Sequence, residues 1–471
     1  MSAMMRLGEA ARILGSEAPQ VDPAFSGVST DTRTLRGGDL FYALQGPNFD
    51  AHTMLGKARE KGAVAAVVSR PVDDPLPQLV VADTRLALGR LAAAWRARFQ
   101  GRLIAITGSN GKTTVKEMVA AILGCKGEVL ATAGNLNNDI GVPLTLLRLR
   151  PDLHHYAVIE MGANHQGEIA YLSDLARPDV ALITNAAAAH LAGFGSVADV
   201  ARAKGEIFQG LAADGVAVIN GDDHYADAWR QLVAGRKVVT FGQRGDVSLL
   251  EEQGSCLARG RFINRFTLAT PKGELQIQLP LIGCHNIVNA MAATAVAIAA
   301  GADGAEIEAG LGRMRAVKGR LQPRMSAWGQ LLIDDSYNAN PQSLGAAMEV
   351  LATMEGEKIL VLGDMAELGE EAETLHRQAG ERARELGIDQ LYGCGPLSRA
   401  AVEGFGDEGH WFDSREALAT ALIRQLSQPG SAGTVLVKGS RSAAMETVVE
   451  RLVAGTGVAT PRPAAAVGWG G

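Results

Sequence analysis

The segment Arg102 to Met118, RLIAITGSNGKTTVKEM, constrains this chain more than any other. Leu103 to Thr107 is a short apolar run with the length of a buried strand, and Gly108, Ser109, Asn110 and Gly111 are turn formers that end it. Lys112, Thr113 and Thr114 then open a helical pattern. A strand, a glycine-rich turn and a helix in that order offer backbone N–H groups and a helix N-terminus to an anion. A lysine so placed reaches terminal phosphates, and a threonine hydroxyl meets Mg²⁺. The segment therefore reads as an ATP-binding P-loop in shortened form, since Ile106 stands where the usual pattern has its first glycine. The simpler explanation is an ordinary β-to-α turn with a chance lysine; the apolar strand, the paired threonines and the helix together weigh against it.

At about 150 residues per domain, a chain of 471 residues suggests about three domains. A hydrophobic content of 47% with 20% charged residues describes a globular chain able to bury full-sized cores. The net charge of −6 argues against a general nucleic-acid binder, while leaving room for a local basic pocket. Cys125, Cys256, Cys284 and Cys394 are widely separated, so neither a disulfide framework nor a zinc site is indicated, which fits a reducing compartment. The first residues carry Arg6, Glu9 and Arg12 within their apolar periodicity and read as an amphipathic helix rather than an export signal. Asn286 to Ala302 is alanine-rich and interrupted by Asn289, a buried helix rather than a membrane span. A cytoplasmic enzyme without membrane insertion is the expectation.

The first hundred residues hold short β-like runs at Leu40–Leu44, Val64–Val68 and Leu79–Val81, and helical patterns at Thr53–Lys61 and Thr84–Arg98. Asp31 and Arg33 lie in a polar turn ahead of the first of these strands, where an ion pair is the plainest reading. From Gly101 onward short apolar strands alternate with helices as far as Val216–Asn220, which predicts a parallel sheet covered on both faces. Ligands of such sheets bind at the carboxyl ends of the strands, where Gly108 to Thr114, Glu160 and Asn185 fall. Gly242 to Leu281 reads as an antiparallel hairpin turning at Pro271-Lys272-Gly273. A second, smaller doubly wound sheet is expected from Gly319, with strands at Gln330–Asp334, Lys358–Leu362, Gln390–Tyr392, Trp411–Phe412 and Thr434–Val437. The fold class is α/β with three domains: a small N-terminal domain over 1–100, a central P-loop domain over 101–317 and a C-terminal Rossmann-like domain over 318–460. The tail 461–471 reads as disordered.

Glu160 ends an apolar strand, where a carboxylate is costly to bury unless it meets a cation, and Mg²⁺ needs only one carboxylate beside phosphate oxygens. His190 and Lys204 follow; alone, a histidine is more often structural and a helical lysine more often solvated. The stretches TGSNGKTT, IEMGANHQGEI, AAAHL, ARAKGEIF, CHNIVNAMAA, KGRLQ, DDSYNANPQSL and VLGDMAELG, in this order, resemble the Mur ligase family, the ATP-dependent ligases that build the peptide of cell-wall precursors. The resemblance spans nearly the whole chain. SYNANP, GNLNNDIGVP and MGANHQGEI together resemble the branch that adds D-alanyl-D-alanine to UDP-N-acetylmuramoyl-tripeptide.

The resemblance implies roles. Gly108, Ser109, Asn110, Gly111, Lys112, Thr113 and Thr114 would hold ATP, with Thr113 and Glu160 on one Mg²⁺ and His190 on a second. Lys204 matches the position of a carbamylated lysine, whose carboxylate-like group could ligate the second ion. Lys112, Glu160, His190 and Lys204 would thus form the catalytic set. Asn286, Asn289 and Arg320 look like adenine and phosphate contacts, Asp335 like the ribose ligand, and Tyr337 and Asn338 would lie beside the nucleotide. Lys438, Ser440 and Arg441 would meet the incoming dipeptide, Asn137 and Asn138 the substrate or phosphates, and Thr30, Asp31, Arg33 and Gly46 the uridine end. The implied enzyme is a monomer that makes an acyl phosphate and then an amide. Another ligase of the family, a P-loop kinase and a switch ATPase are the alternatives; phosphate release that requires both a carboxylate and an amine separates them.

Overall fold

A computed structural model describes residues 3–17, 20–188, 191–258 and 261–455. His190 and the tail 461–471 lie outside them. The first layer is a parallel sheet of four strands, Gly27–Ser29, Asp39–Tyr42, Ala65–Val68 and Gln78–Val80, in that spatial order. The helix Leu7–Leu14 buries Leu7, Ala10, Ala11 and Leu14, the spacing of one helical face. The helix Thr84–Arg96 starts at Asp83, whose carboxylate accepts the N–H groups of Arg85 and Leu86. It packs outward onto the helices Gly141–Leu146 and Glu168–Ala176 of the next layer, and the Trp95 indole donates to the Leu149 carbonyl at 3.0 Å.

The central sheet has six parallel strands in the order Val129–Ala131, Tyr156–Glu160, Arg102–Thr107, Val180–Ile183, Val216–Asn220 and Lys237–Phe241. Its inner strands are buried on both sides, which is why their sequences are continuously apolar. Leu103 and Ala105 face one core, and Ile104 and Ile106 face the other, beneath the helices Lys112–Leu123 and Cys284–Ala299. The register pairs Glu160 with Ile106 and Ile183 with Thr107, so the loops leaving three neighbouring strands open at one level.

The stretch from Gly242 to Leu281 is not a two-stranded hairpin. It forms three antiparallel strands, Ser248–Ala258, Arg261–Thr270 and Gly273–Leu279, the last two joined at Pro271 and Lys272 as expected. The first strand escaped notice because register shifts at Leu249/Glu251 and Glu252/Gly254 break its alternation. The C-terminal sheet is likewise no smaller than the central one in strand number. It has six strands in the order Gln322–Met325, Leu331–Asp335, Gly433–Lys438, Glu357–Gly363, Gln390–Cys394 and Gly409–Phe412. The additional strand, Gln322–Met325, is antiparallel and at the edge, where Pro323 is tolerated for want of a ladder N–H. Among the described residues no helix is long and apolar enough to cross a membrane.

Candidate active site between the central and C-terminal sheets

Gly108 and Gly111 make the P-loop possible. Their φ values are 144° and 82°, and an added Cβ would lie 1.9 Å from the Thr184 hydroxyl oxygen or 2.4 Å from Asn289 Oδ1. The end of the neighbouring strand fixes the loop. The Asn185 carbonyl accepts the Ser109 N–H at 2.9 Å, Asn185 Oδ1 accepts the Asn110 N–H at 3.0 Å, and the Thr184 hydroxyl donates to the Asn110 carbonyl at 2.6 Å. The helix Lys112–Leu123 begins directly after Gly111 with no side-chain cap, so its first N–H groups face the cleft that an anion could enter.

The loop forms one wall of a cleft of about 1500 Å³. Lys112 Nζ donates to the carbonyls of Gly108 (2.6 Å) and Ser109 (3.1 Å). Desolvation pushes its pKa down to about 8; Glu160 opposes that shift and Arg320 adds to it. Lys204, 2% exposed, is brought down to about 7, first by burial and then by Lys112, against the pull of Glu168 and Glu206. Its Nζ lies 5.4 Å from the centre of the Phe194 ring. Two ammonium groups thus share a poorly hydrated space, a field that favours a polyanion.

Glu160, 2% exposed, accepts a bond from Asn137 Nδ2 at 2.8 Å through Oε1, whereas Oε2 is buried with no partner. A buried carboxylate oxygen without a donor is costly, and a hard cation beside Thr113, Thr114 and phosphate oxygens would satisfy it. No group of three or more His, Cys, Asp or Glu residues able to hold a metal exists among the described residues. Glu160 with the hydroxyls of Thr113 and Thr114 fits a magnesium ion that takes its remaining ligands from phosphate oxygens and water. Lys116, buried under the same strand end, donates to the Thr132 carbonyl at 2.7 Å while the Thr132 hydroxyl accepts the Glu160 N–H at 2.9 Å. The motifs gave no sign of this support.

The opposite wall comes from the C-terminal layer and the helix Cys284–Ala299. Asn286 Nδ2 donates to the Ile282 carbonyl at 2.7 Å, and Asn289 Nδ2 donates to Asn286 Oδ1 at 3.0 Å. Arg320 stacks 4.3 Å over the Tyr337 ring and donates to the Thr113 hydroxyl at 3.0 Å. Asp335 accepts the Leu321 N–H at 3.0 Å and pairs with Lys438, which also donates to the Asn338 carbonyl at 3.0 Å. Lys438 is 2% exposed, so this pair braces the wall of the cleft that both residues line. Ser440 donates to the Asp364 carbonyl at 2.6 Å, and Arg441 reaches Glu446 at 2.9 Å from the cleft rim. His285, not singled out from sequence, also lines the cleft; burial lowers its pKa to about 4.

Asn137 and Asn138 line the cleft, the latter accepting the Gly141 N–H at 2.9 Å. Thr30, Asp31, Arg33 and Gly46 are not among the lining residues. Asp31 and Arg33 instead pair with each other at 2.7 Å in the turn after Gly27–Ser29, which holds the Asp31 carboxyl below its usual range. The P-loop geometry sets a first expectation. Gly108→Ala, strained and blocked by Thr184, should weaken binding of ADP measured by calorimetry at least about tenfold, a loss of only 1.4 kcal/mol; unchanged affinity would show that this turn does not seat the nucleotide.

Comparison with known proteins agrees with this geometry. Residues 106–297 match the family description "Mur ligase middle domain", and residues 319–441 match "Mur ligase, glutamate ligase domain". The chain is similar to the UDP-N-acetylmuramoyl-tripeptide–D-alanyl-D-alanine ligase of Escherichia coli K12, with 50% identity over 95% of this chain and 98% of that one. The crystal structure of MurF from Acinetobacter baumannii superposes with a TM-score of 0.88 at 40% identity, covering 95% of this chain and 98% of that one. MurF from Thermotoga maritima, solved in complex with ADP, gives 0.77 at 29% identity over 91% and 97%. At this identity and coverage, with both family descriptions matched along the chain, this chain belongs to the Mur ligase family.

Proposed function

We propose that the chain joins D-alanyl-D-alanine to UDP-N-acetylmuramoyl-tripeptide with the cleavage of ATP to ADP and phosphate. The near-full-length likeness to the Escherichia coli ligase carries this reading, and the two buried lysines of the cleft, Lys112 and Lys204, support it. The terminal carboxylate of the tripeptide attacks the γ-phosphorus, the bond to the β-phosphate oxygen breaks, and ADP leaves an acyl phosphate behind. The amine of the dipeptide then attacks the acyl carbon, loses a proton, and phosphate departs as the amide forms.

Bringing a carboxylate to a triphosphate opposes like charges, and the chain's own residues supply the counter-charge. Lys112 would exchange its two loop carbonyls for the β- and γ-phosphates. Arg320 would turn from Thr113 to the phosphates, and Asn286 and Asn289 would hold the nucleotide with Asp335 on its ribose. Thr113 and Glu160 would hold one magnesium ion, and His190 with a carbamylated Lys204 a second, and these would supply charge neutralisation on the reacting oxygens. Thr30, Asp31, Arg33 and Gly46 would recognise the uridine end, Asn137 and Asn138 the peptide, and Lys438, Ser440 and Arg441 the dipeptide. The divisions 1–100, 101–317 and 318–460 would act as uridine, nucleotide and dipeptide bodies of a cytoplasmic monomer.

Lys204 is suited to carbamylation. A pKa near 7 leaves a large share of the amine neutral at neutral pH, and only the neutral amine adds to CO₂. The carbamate carries negative charge where the ammonium would repel cations. Removal of CO₂ and bicarbonate should lower activity and abolish a carbamate resonance in protein equilibrated with ¹³C-labelled CO₂. Lys204→Arg should show neither response; a wild-type enzyme indifferent to CO₂ would contradict the modification. The function itself is tested with ATP, Mg²⁺ and UDP-N-acetylmuramoyl-tripeptide, offered D-alanyl-D-alanine or single amino acids. Peptide formation with the dipeptide alone is expected; use of a single amino acid instead would move the chain to another branch of the family.

A further inference from the structure

Every polar group of Asn110 is engaged, and the partners divide by layer. Its backbone N–H and carbonyl are held by Asn185 and Thr184 of the central sheet. Its side-chain amide crosses the cleft: Oδ1 accepts from Asn340 Nδ2 at 2.8 Å, and Nδ2 donates to Gln342 Oε1 at 2.6 Å. These partners belong to the start of the helix Pro341–Ala352, where Asn340 Oδ1 caps the helix by accepting the Ser343 N–H at 2.9 Å. The cap fixes which end of the Asn340 amide faces the loop, since its oxygen is already committed. That in turn turns the Asn110 oxygen toward Asn340 and its NH₂ toward Gln342. A carboxylate at position 110 would lack the donor, and a serine would be too short to reach both.

Among the described residues the other direct bond from this layer to the loop, Arg320 to Thr113, joins two groups that nucleotide binding would claim for phosphate and metal. The Asn110 amide points to the C-terminal helix and can stay in place throughout. Resting on the functional reading above, we propose that Asn110 is a positioning residue that keeps the C-terminal layer seated on the phosphate loop while the acyl phosphate exists, so that the amine rather than water receives the acyl group. Should the layers part, water would attack the same acyl carbon and regenerate the tripeptide carboxylate with loss of phosphate.

The test uses Asn110→Ala, Gln342→Ala and the double variant. Gln342 is exposed at a helix start, where alanine is well tolerated, so that variant guards against a folding defect in the first. With two neutral hydrogen bonds removed, phosphate released per peptide bond should rise about tenfold in Asn110→Ala. Gln342→Ala should show a smaller rise, and the double variant none beyond Asn110→Ala. Small-angle scattering with ADP bound should give a larger radius of gyration for both single variants than for the wild type. A wild type that makes peptide, with variants that match it in both ratio and radius, would overturn the role of Asn110 alone. A wild type that makes no peptide overturns the functional reading, and the scattering comparison then still decides the link between the layers.

Discussion

Uncompensated charge at the ends of the central strands is the constraint on which the site depends. Lys112 and Lys204 are both desolvated enough to lose much of their basicity, and Glu160, whose charge acts on Lys112, has one oxygen with no donor. Such an arrangement is unfavourable in isolation and becomes favourable around a polyanion with a cation. The rest of the fold holds these groups against that cost. Parallel pairing levels Thr107, Glu160 and Ile183, Thr184 and Asn185 fasten the loop, and Lys116 with Thr132 fastens the strand end that carries Glu160.

The C-terminal layer completes the site from outside. Its Asp335–Lys438 brace, with Asn338 and Leu321, stiffens the wall opposite the phosphate loop, and Arg320 is laid across it on Tyr337. Among the described residues, direct bonds from this wall to the loop run from Arg320 to Thr113, from Asn340 to Asn110 and from Asn110 to Gln342. Each neutral bond of this set contributes only about 1 kcal/mol, so the arrangement of the two layers rests on several of them together.

What could be read from the sequence followed the physics of local order. The P-loop, the central strands and the buried helix Cys284–Ala299 were legible because apolar runs and glycine turns determine them without help from distant residues. The strand Ser248–Ala258 was hidden by its bulges, and Gln322–Met325 by its proline and edge position. Candidate residues on both walls were legible as motif members, but their partners were not. Nothing local tells that Lys438 pairs with Asp335, that Arg33 pairs with Asp31, or that Asn110 reaches a helix more than two hundred residues away. Lys116 and His285 went unnoticed because burial, a property of the folded chain, gives them their character.

Direct capture of phosphate by a carboxylate within this cleft is the step on which the proposed reaction depends. The most direct measurement follows ¹⁸O placed in the terminal carboxylate of UDP-N-acetylmuramoyl-tripeptide through one round of ligation with D-alanyl-D-alanine. Transfer of one labelled oxygen to inorganic phosphate for each amide formed is the predicted result. Label found in AMP, or phosphate released without label while the amide forms, would contradict it.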